Sequence, residues 1–275
     1  MAQRTKFVKP QSRRIASARV VAAKQISPSF VRVTIAGEEL DSVSPLGYDQ
    51  WFRMFFPQEG QNTLRLPTSA SNLWYAQYKL MSKDSRPVVR NYTIRELRVA
   101  GSGTFGDTTE IDIDFASHGD LGPASAWANT AAAGDEVAIL DEGLIYNPAP
   151  DAEWQLLVGD ESALPAIVGI LRSAPRDLRA EVFIEIPATE DAREVSVGDG
   201  VNVHWLVRDD ADARPGVLAL NTVMQAELPS GPSYTFVAGE SELTTALRRH
   251  LVNERRVPKS HISFTGYWRH GHAAP

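Results

Sequence analysis

The hydrophobic pattern of this chain changes period once, near residue 150, and that single change calls for two kinds of fold. Before it come short runs rich in β-branched and aromatic residues: ASARVVAAKQIS, SFVRVTIAG, QWFRMFFP, RNYTIRELRV, TEIDIDFASH and DEVAILD. Several alternate polar with apolar residues, and turn residues separate them, which predicts an antiparallel β-barrel or a sandwich. Helices are expected in this half at GPASAWANTAA, opening at Gly122-Pro123, and around LWYAQYKLMSK. After the change, strand and helix patterns take turns. WQLLVGD, RAEVFIEIP, VNVHWLV, SYTFVAGE and HISFTGYW read as strands. ESALPAIVGILRSA, GVLALNTVMQAEL and ELTTALRRHLVNERR read as helices, the first with Leu164, Ile167, Val168 and Leu171 at helical spacing. That order predicts a mostly parallel sheet covered on both faces, an α/β domain. The expected layout is a basic tail over 1–14, a β-barrel over 15–147, a linker over 148–153 containing Pro148 and Pro150, and an α/β domain over 154–275.

Composition narrows the chemistry. The chain has 275 residues, of which 43% are hydrophobic, enough for two cores. It contains no cysteine, which rules out disulfides, thiolate metal sites, Cys-ligated iron–sulfur clusters and thiol catalysis. Electron transfer would therefore need a bound organic cofactor or a non-thiolate metal. A net charge of -6 does not indicate nucleic-acid binding. The opening MAQRTKFVKPQSRR lacks the apolar stretch of a secretory leader, and no apolar run approaches a membrane span. The expectation is a cytoplasmic protein without membrane insertion.

Four stretches carry residue types suited to cofactor chemistry. In Arg90-Asn91-Tyr92-Thr93-Ile94-Arg95, a cation suits a pyrophosphate, an aromatic ring suits a flavin, and a small hydroxyl suits the edge of its ring system. An ordinary strand with basic residues outward and aromatic ones inward accounts for it equally well. His118-Gly119-Asp120-Leu121-Gly122-Pro123-Ala124-Ser125 is a glycine-rich turn entering a helix, able to aim backbone N–H groups at an anion or simply to cap that helix. Val158-Gly159-Asp160-Glu161-Ser162 ends the first α/β strand, where open parallel sheets bind ligands, with Ser162 as a contact near a nicotinamide. Glu185 ends the next strand, placed either to accept from a ribose hydroxyl or to face solvent. Gly266-Tyr267-Trp268-Arg269-His270-Gly271 offers aromatics and a cation after the last strand, to cover a flavin, contact an anion or seal the core.

Taken in order, RNYTIR, HGDLGPASAWA, VGDESALPAI and VAGESELTTALRRHLVNERRVPKSHISFTGYWRHG resemble the siderophore-interacting protein family, flavin-dependent ferric-siderophore reductases related to ferredoxin-reductase-like flavoproteins. The resemblance spans about Arg14 to Ala273 and implies an antiparallel Greek-key β-barrel holding FAD, followed by a parallel-sheet α/β domain for NADH or NADPH. It implies that Arg90, Tyr92 and Thr93 bind FAD, with His118, Gly119, Ala124 and Ser125 completing the site. Glu161 and Ser162 would approach the nicotinamide. Lys259 and Arg269 are the candidates for contact with a ferric siderophore. Many members carry a glycine-rich, arginine-containing loop where this chain has Asp141-Glu142-Gly143-Leu144-Ile145-Tyr146-Asn147, which argues against a cationic contact there; either the two acids alter which siderophore charge is tolerated, or Tyr146 packs over the adenine instead. The implied reaction runs from NAD(P)H through FAD to iron(III). An external ferredoxin as donor, another electron acceptor, and a non-catalytic siderophore-binding or flavin-sensing role remain alternatives.

Overall fold

Alternation of side chains sets the strands of the first half: β1 (Ile15–Ser27), β2 (Phe30–Ala36), β3 (Trp51–Phe56), β4 (Val88–Thr93), β5 (Glu96–Arg98), β6 (Glu110–Ala116) and β7 (Glu136–Gly143). The computed structural model describes residues 7–61, 63–71, 73–117, 122–210 and 213–272. The strands form one antiparallel sheet in the order β4-β3-β7-β1-β2-β6-β5. The two strands at the ends of that order are consecutive in the chain, with only Ile94 and Arg95 between them. Ile94 N donates to Gln50 O (2.8 Å), and Arg95 N donates to Asp112 O of β6 (2.9 Å). The sheet therefore closes on itself, the expected barrel.

In β6, Ile111, Ile113 and Phe115 enter the barrel core while Glu110, Asp112 and Asp114 take the opposite face. Those carboxylates are matched there by arginines: Arg32 with Asp114 (2.7 Å), Arg98 with Asp112 (2.7 Å) and Arg98 with Glu110 (3.0 Å). β3 does not alternate because both its faces are covered. Phe52, Met54 and Phe56 point into the barrel. Phe55 packs in a second cluster with Trp74, from α1 (Trp74–Leu80), and with Ala138 and Leu140 of β7.

The chain divides between Leu144 and Ile145. Residues 145–147, expected with the barrel, pack with the second half. The Tyr146 ring is buried edge-on against Tyr234 (5.6 Å) and Phe236 (6.3 Å), and its hydroxyl donates to Gln155 Oε1 (2.7 Å). A ring sealed in that core cannot lie over an adenine, which corrects that expectation. Phe7 and Val8 also group with this half.

The second half holds a five-stranded parallel sheet of β8 (Trp154–Gly159), β9 (Ala180–Ile186), β10 (Val201–Val207), β11 (Ser233–Glu240) and β12 (Ile262–Trp268), in the order β10-β9-β8-β11-β12. Its helices are α3 (Leu164–Ser173), α4 (Val217–Gln225) and α5 (Ser241–Asn253). The strand order reverses between β8 and β11, so the carboxyl ends of those strands border the crevice where such sheets take ligands. Gly159 permits the close approach there. A Cβ on it would fall 2.5 Å from Ala163 Cβ, 3.0 Å from Ile167 Cδ1 and 3.1 Å from Ala238 O. Gly159→Ala should therefore cost about 1–3 kcal/mol by overpacking. Denaturant unfolding checks this, and a variant as stable as the parent would contradict the tight fit. No helix among the described residues is long and apolar enough to cross a membrane.

Candidate functional site

In the barrel half, the residues of interest sit on β4 and on α2 (Pro123–Thr130). Arg90 and Tyr92 share one face of β4 because they lie two residues apart. The Tyr92 ring packs on Phe115 (4.2 Å), and Trp127 of α2 packs on the other side of the same cluster, against Phe115 (5.7 Å) and Phe56 (5.0 Å). The shared phenylalanine draws β4 and α2 together. Desolvation raises the pKa of the Tyr92 phenol, the Arg90 charge opposing it, so Tyr92 is neutral and presents ring rather than charge.

Charge pairing singles out Arg90. The arginines of the other barrel strands all have carboxylate partners: Arg19 with Glu136, Arg32 with Asp114, Arg53 with Glu142, and Arg98 with Glu110 and Asp112. Among the described residues Arg90 has none. Its Nη1 donates to the neighbouring Val89 O (2.7 Å), which leaves most of its donors and its whole charge for a ligand. Trp51, paired in register with Thr93, buries its indole Nε1 without an acceptor among the described residues. A cation with no carboxylate partner among the described residues and a neutral aromatic ring on one face of β4 fit an anionic aromatic cofactor such as FAD; the Trp51 indole lies on the opposite face, with the Arg53 guanidinium over it (5.4 Å).

α2 opens at Gly122, with Pro123 in its first turn and, among the described residues, no side chain capping it. Its first N–H groups thus suit an anion. Ala124 and Ser125 are partly exposed in that turn, with the Ser125 hydroxyl 3.5 Å from Ala116 O. His118 and Gly119 lie outside the described residues. The acidic departure at β7 is neutralised locally. Glu142 accepts from Arg13 and Arg53 (both 2.6 Å), and Asp141 accepts from Gln50 Nε2 (3.0 Å) and Gly143 N (2.9 Å). Burial still raises the Asp141 pKa.

In the α/β half, each of the strands β8, β9 and β11 ends at a buried acid that caps a following helical turn. Asp160 accepts from Ser162 N (2.9 Å). Glu185 accepts from Gly216 N (2.8 Å) and Ala219 N (2.9 Å) at the start of α4. Glu240 accepts from Glu242 N (2.6 Å) and Leu243 N (3.4 Å) at the start of α5. Carboxylates are favoured there because the helix start offers unpaired N–H groups and the positive end of its dipole. Arg208 then ties Glu161 (2.7 and 2.8 Å) to Glu185 (2.9 Å). Burial alone would lower the Arg208 pKa; the hydrogen bonds and charges of both acids outweigh it and raise it.

These contacts correct three expectations. Glu185 is 0% exposed with both oxygens engaged, so it holds α4 and is closed to a ribose. Glu161 is 0% exposed and turned onto Arg208, away from any nicotinamide. Lys259 and Arg269 are both exposed, but the seven residues of β12 run between them, roughly 23 Å at about 3.3 Å per residue. Lys259 stands at the amino edge of the sheet, so the two cannot share one ligand, and only Arg269 adjoins the crevice. Ser162 and Trp268 remain at the carboxyl edge, and Asp160 links them. The Ser162 hydroxyl donates to Asp160 Oδ1 (2.5 Å), and Trp268 Nε1 donates to Asp160 Oδ2 (3.2 Å). Asp160, Arg208, Glu240 and Trp51 were not assigned from sequence. The repeated strand-end pattern Gly159-Asp160-Glu161-Ser162 and Gly239-Glu240-Ser241-Glu242 was the available signal for two of them.

Comparisons with known proteins agree with this layout. Residues 19–144 match the model of the siderophore-interacting FAD-binding domain, and residues 152–271 match that of siderophore-interacting protein. The chain is 33% identical over 256 residues to a ferric vibriobactin reductase of Vibrio cholerae, covering 91% of this chain and 88% of that one. It is 27% identical over 257 residues to an NADPH-dependent ferric-chelate reductase of Escherichia coli, covering 90% and 91%. A solved siderophore utilization protein from T. fusca superposes with a TM-score of 0.81 at 27% identity, covering 97% of each chain.

Proposed function

Since this chain belongs to the siderophore-interacting protein family, we propose that it is an FAD-dependent ferric-siderophore reductase using NADPH or NADH as donor. The observation that carries the reading is Arg90, the barrel-strand arginine without a carboxylate partner among the described residues, beside a neutral Tyr92. Bound FAD supplies the step from a two-electron donor to a one-electron iron(III) acceptor. The residues have positional work only. Arg90 and the first turn of α2, with Ala124 and Ser125, hold the pyrophosphate. Tyr92 lies against the flavin or ribityl portion, and Thr93, at the end of β4, offers a donor to the ring edge. Ser162 and Trp268 line the nicotinamide site, and Arg269 attracts an anionic ferric complex. The relative named for NADPH favours a nicotinamide donor over an external ferredoxin. No side chain has to act as nucleophile or base.

Anaerobic mixing with NADPH and with NADH, followed by a ferric catecholate complex, tests donor and acceptor together. The flavin absorbance should bleach with the nucleotide and return with the iron complex. A flavin that neither nucleotide bleaches would point to a binding or sensing protein. Bleaching without recovery on the ferric complex would mean a reductase with a different acceptor.

A further inference from the structure

Asp160 does more than cap a turn. It is 0% exposed, and its oxygens accept four hydrogen bonds. Oδ1 takes both Ser162 N and Ser162 Oγ; Oδ2 takes Glu240 N (2.6 Å) from the end of β11 and Trp268 Nε1 (3.2 Å) from the end of β12. The pair on Oδ1 suffices for the cap. The pair on Oδ2 joins three strand ends. β12 lies beyond β11 from β8, so the indole reaches back over Gly239 to the switch point. Gly239 (φ +125) leaves the room: a Cβ on it would fall 2.7 Å from the Asp160 carboxylate. The tail backbone is fastened as well, by Ser241 Oγ donating to Trp268 O (2.8 Å) and His270 N donating to Glu240 Oε1 (3.1 Å).

We propose that Asp160 is a positioning residue: it fixes the Trp268 indole across the carboxyl ends of β8 and β11, as the aromatic face against which the nicotinamide ring of the donor lies. This role rests on the reductase reading above. A half-exposed indole can satisfy its N–H with water, so spending a buried carboxylate on it brings orientation rather than stability.

Every partner of Asp160 is a donor, which makes the clamp specific to a carboxylate. Three of those donors are fixed N–H groups: an amide at 160 must turn its NH2 toward at least one of them, and a protonated carboxyl, whose O–H can go to the Ser162 hydroxyl, loses the charge that strengthens the other bonds. Burial, then the charge of Glu161, raises the Asp160 pKa to about 7. The charged groups around it are Glu161, itself paired with Arg208, Glu240, paired with Arg214, and the His270 ring 6.3 Å from the Trp268 ring. The raised pKa gives two opposite trends. The folded state takes up a proton that the unfolded chain, near 3.8, does not, so stability from this group is lost as pH rises from about 4 to about 7. The clamp itself is tight above about 7 and slackens below it.

Trp268→Phe keeps an aromatic ring while removing the N–H donor and part of the ring surface; Asp160→Asn removes the charge and one of the two acceptor oxygens. In apoprotein, the fluorescence difference between the parent and Trp268→Phe isolates this indole from the other tryptophans. That signal should titrate near pH 7 in the parent and stay at its acid-side value in Asp160→Asn. In FAD-loaded protein, both variants should keep their flavin while the limiting rate of its reduction by NADPH falls about 10-fold through misorientation of the donor. A Trp268 signal that is flat with pH and unchanged by Asp160→Asn overturns the clamp. A signal that titrates while Trp268→Phe reduces at the parental rate overturns the positioning role. If neither nucleotide bleaches the parent, the reductase reading falls and takes this role with it, whatever the titration shows. Should Asp160→Asn not fold, Trp268→Phe alone carries the test.

Discussion

Arg90→Ala is expected to lose FAD while keeping its fold. Removing a charge-assisted contact to the pyrophosphate costs about 1.5–3 kcal/mol, or roughly 10- to 100-fold in Kd. The fold loses little, because the guanidinium makes one bond to the adjacent Val89 O and balances no carboxylate among the described residues. Apoprotein unfolding should therefore stay within about 0.5 kcal/mol of the parent. Titrating FAD into apoprotein measures the first quantity, and urea unfolding the second. Undiminished affinity would remove Arg90 from the phosphate site. Unchanged affinity with lowered stability would give it a structural role instead.

Arg208→Met should do the reverse. Arg208 has only 7% of its side chain exposed and is the counterion of Glu161 and Glu185, both at 0%. Removing one partner of such a buried cluster leaves uncompensated charge and costs about 3–5 kcal/mol. In a unit of this size that lowers Tm by about 10 °C or more. The loss should appear in the α/β half, where Glu185 also holds the start of α4. FAD affinity of the barrel should be little changed. A loss under about 1 kcal/mol would mean that water compensates the two acids.

The architecture was readable because both halves obey simple periods: two-residue alternation in β6, and strand–helix alternation after residue 150. β3 was readable for its aromatic content, though its missing alternation makes sense only once α1 is seen to cover its outer face. The expected boundary, after residue 147, fell three residues late because nothing local in Ile145-Tyr146-Asn147 reveals that Tyr234, far along the chain, receives them. Glu185 was correctly placed at a strand end, but its true partners are N–H groups some thirty residues away, Gly216 and Ala219. Lys259 and Arg269 looked alike because they share a basic stretch; the strand between them separates what composition had joined. Asp160 stood inside a motif already singled out, yet its role depends on donors from three strand ends, which no linear pattern displays.

The closure of the barrel also governs when it can be filled. β1 pairs with β7, Ile15 opposite Leu140, so the earliest strand of this half waits for the latest one. During synthesis, RNYT emerges from the ribosome well before the wall that must stand behind it, and β3 joins the rest of the sheet through β7. Flavin capture therefore belongs to the completed barrel rather than to its early strands.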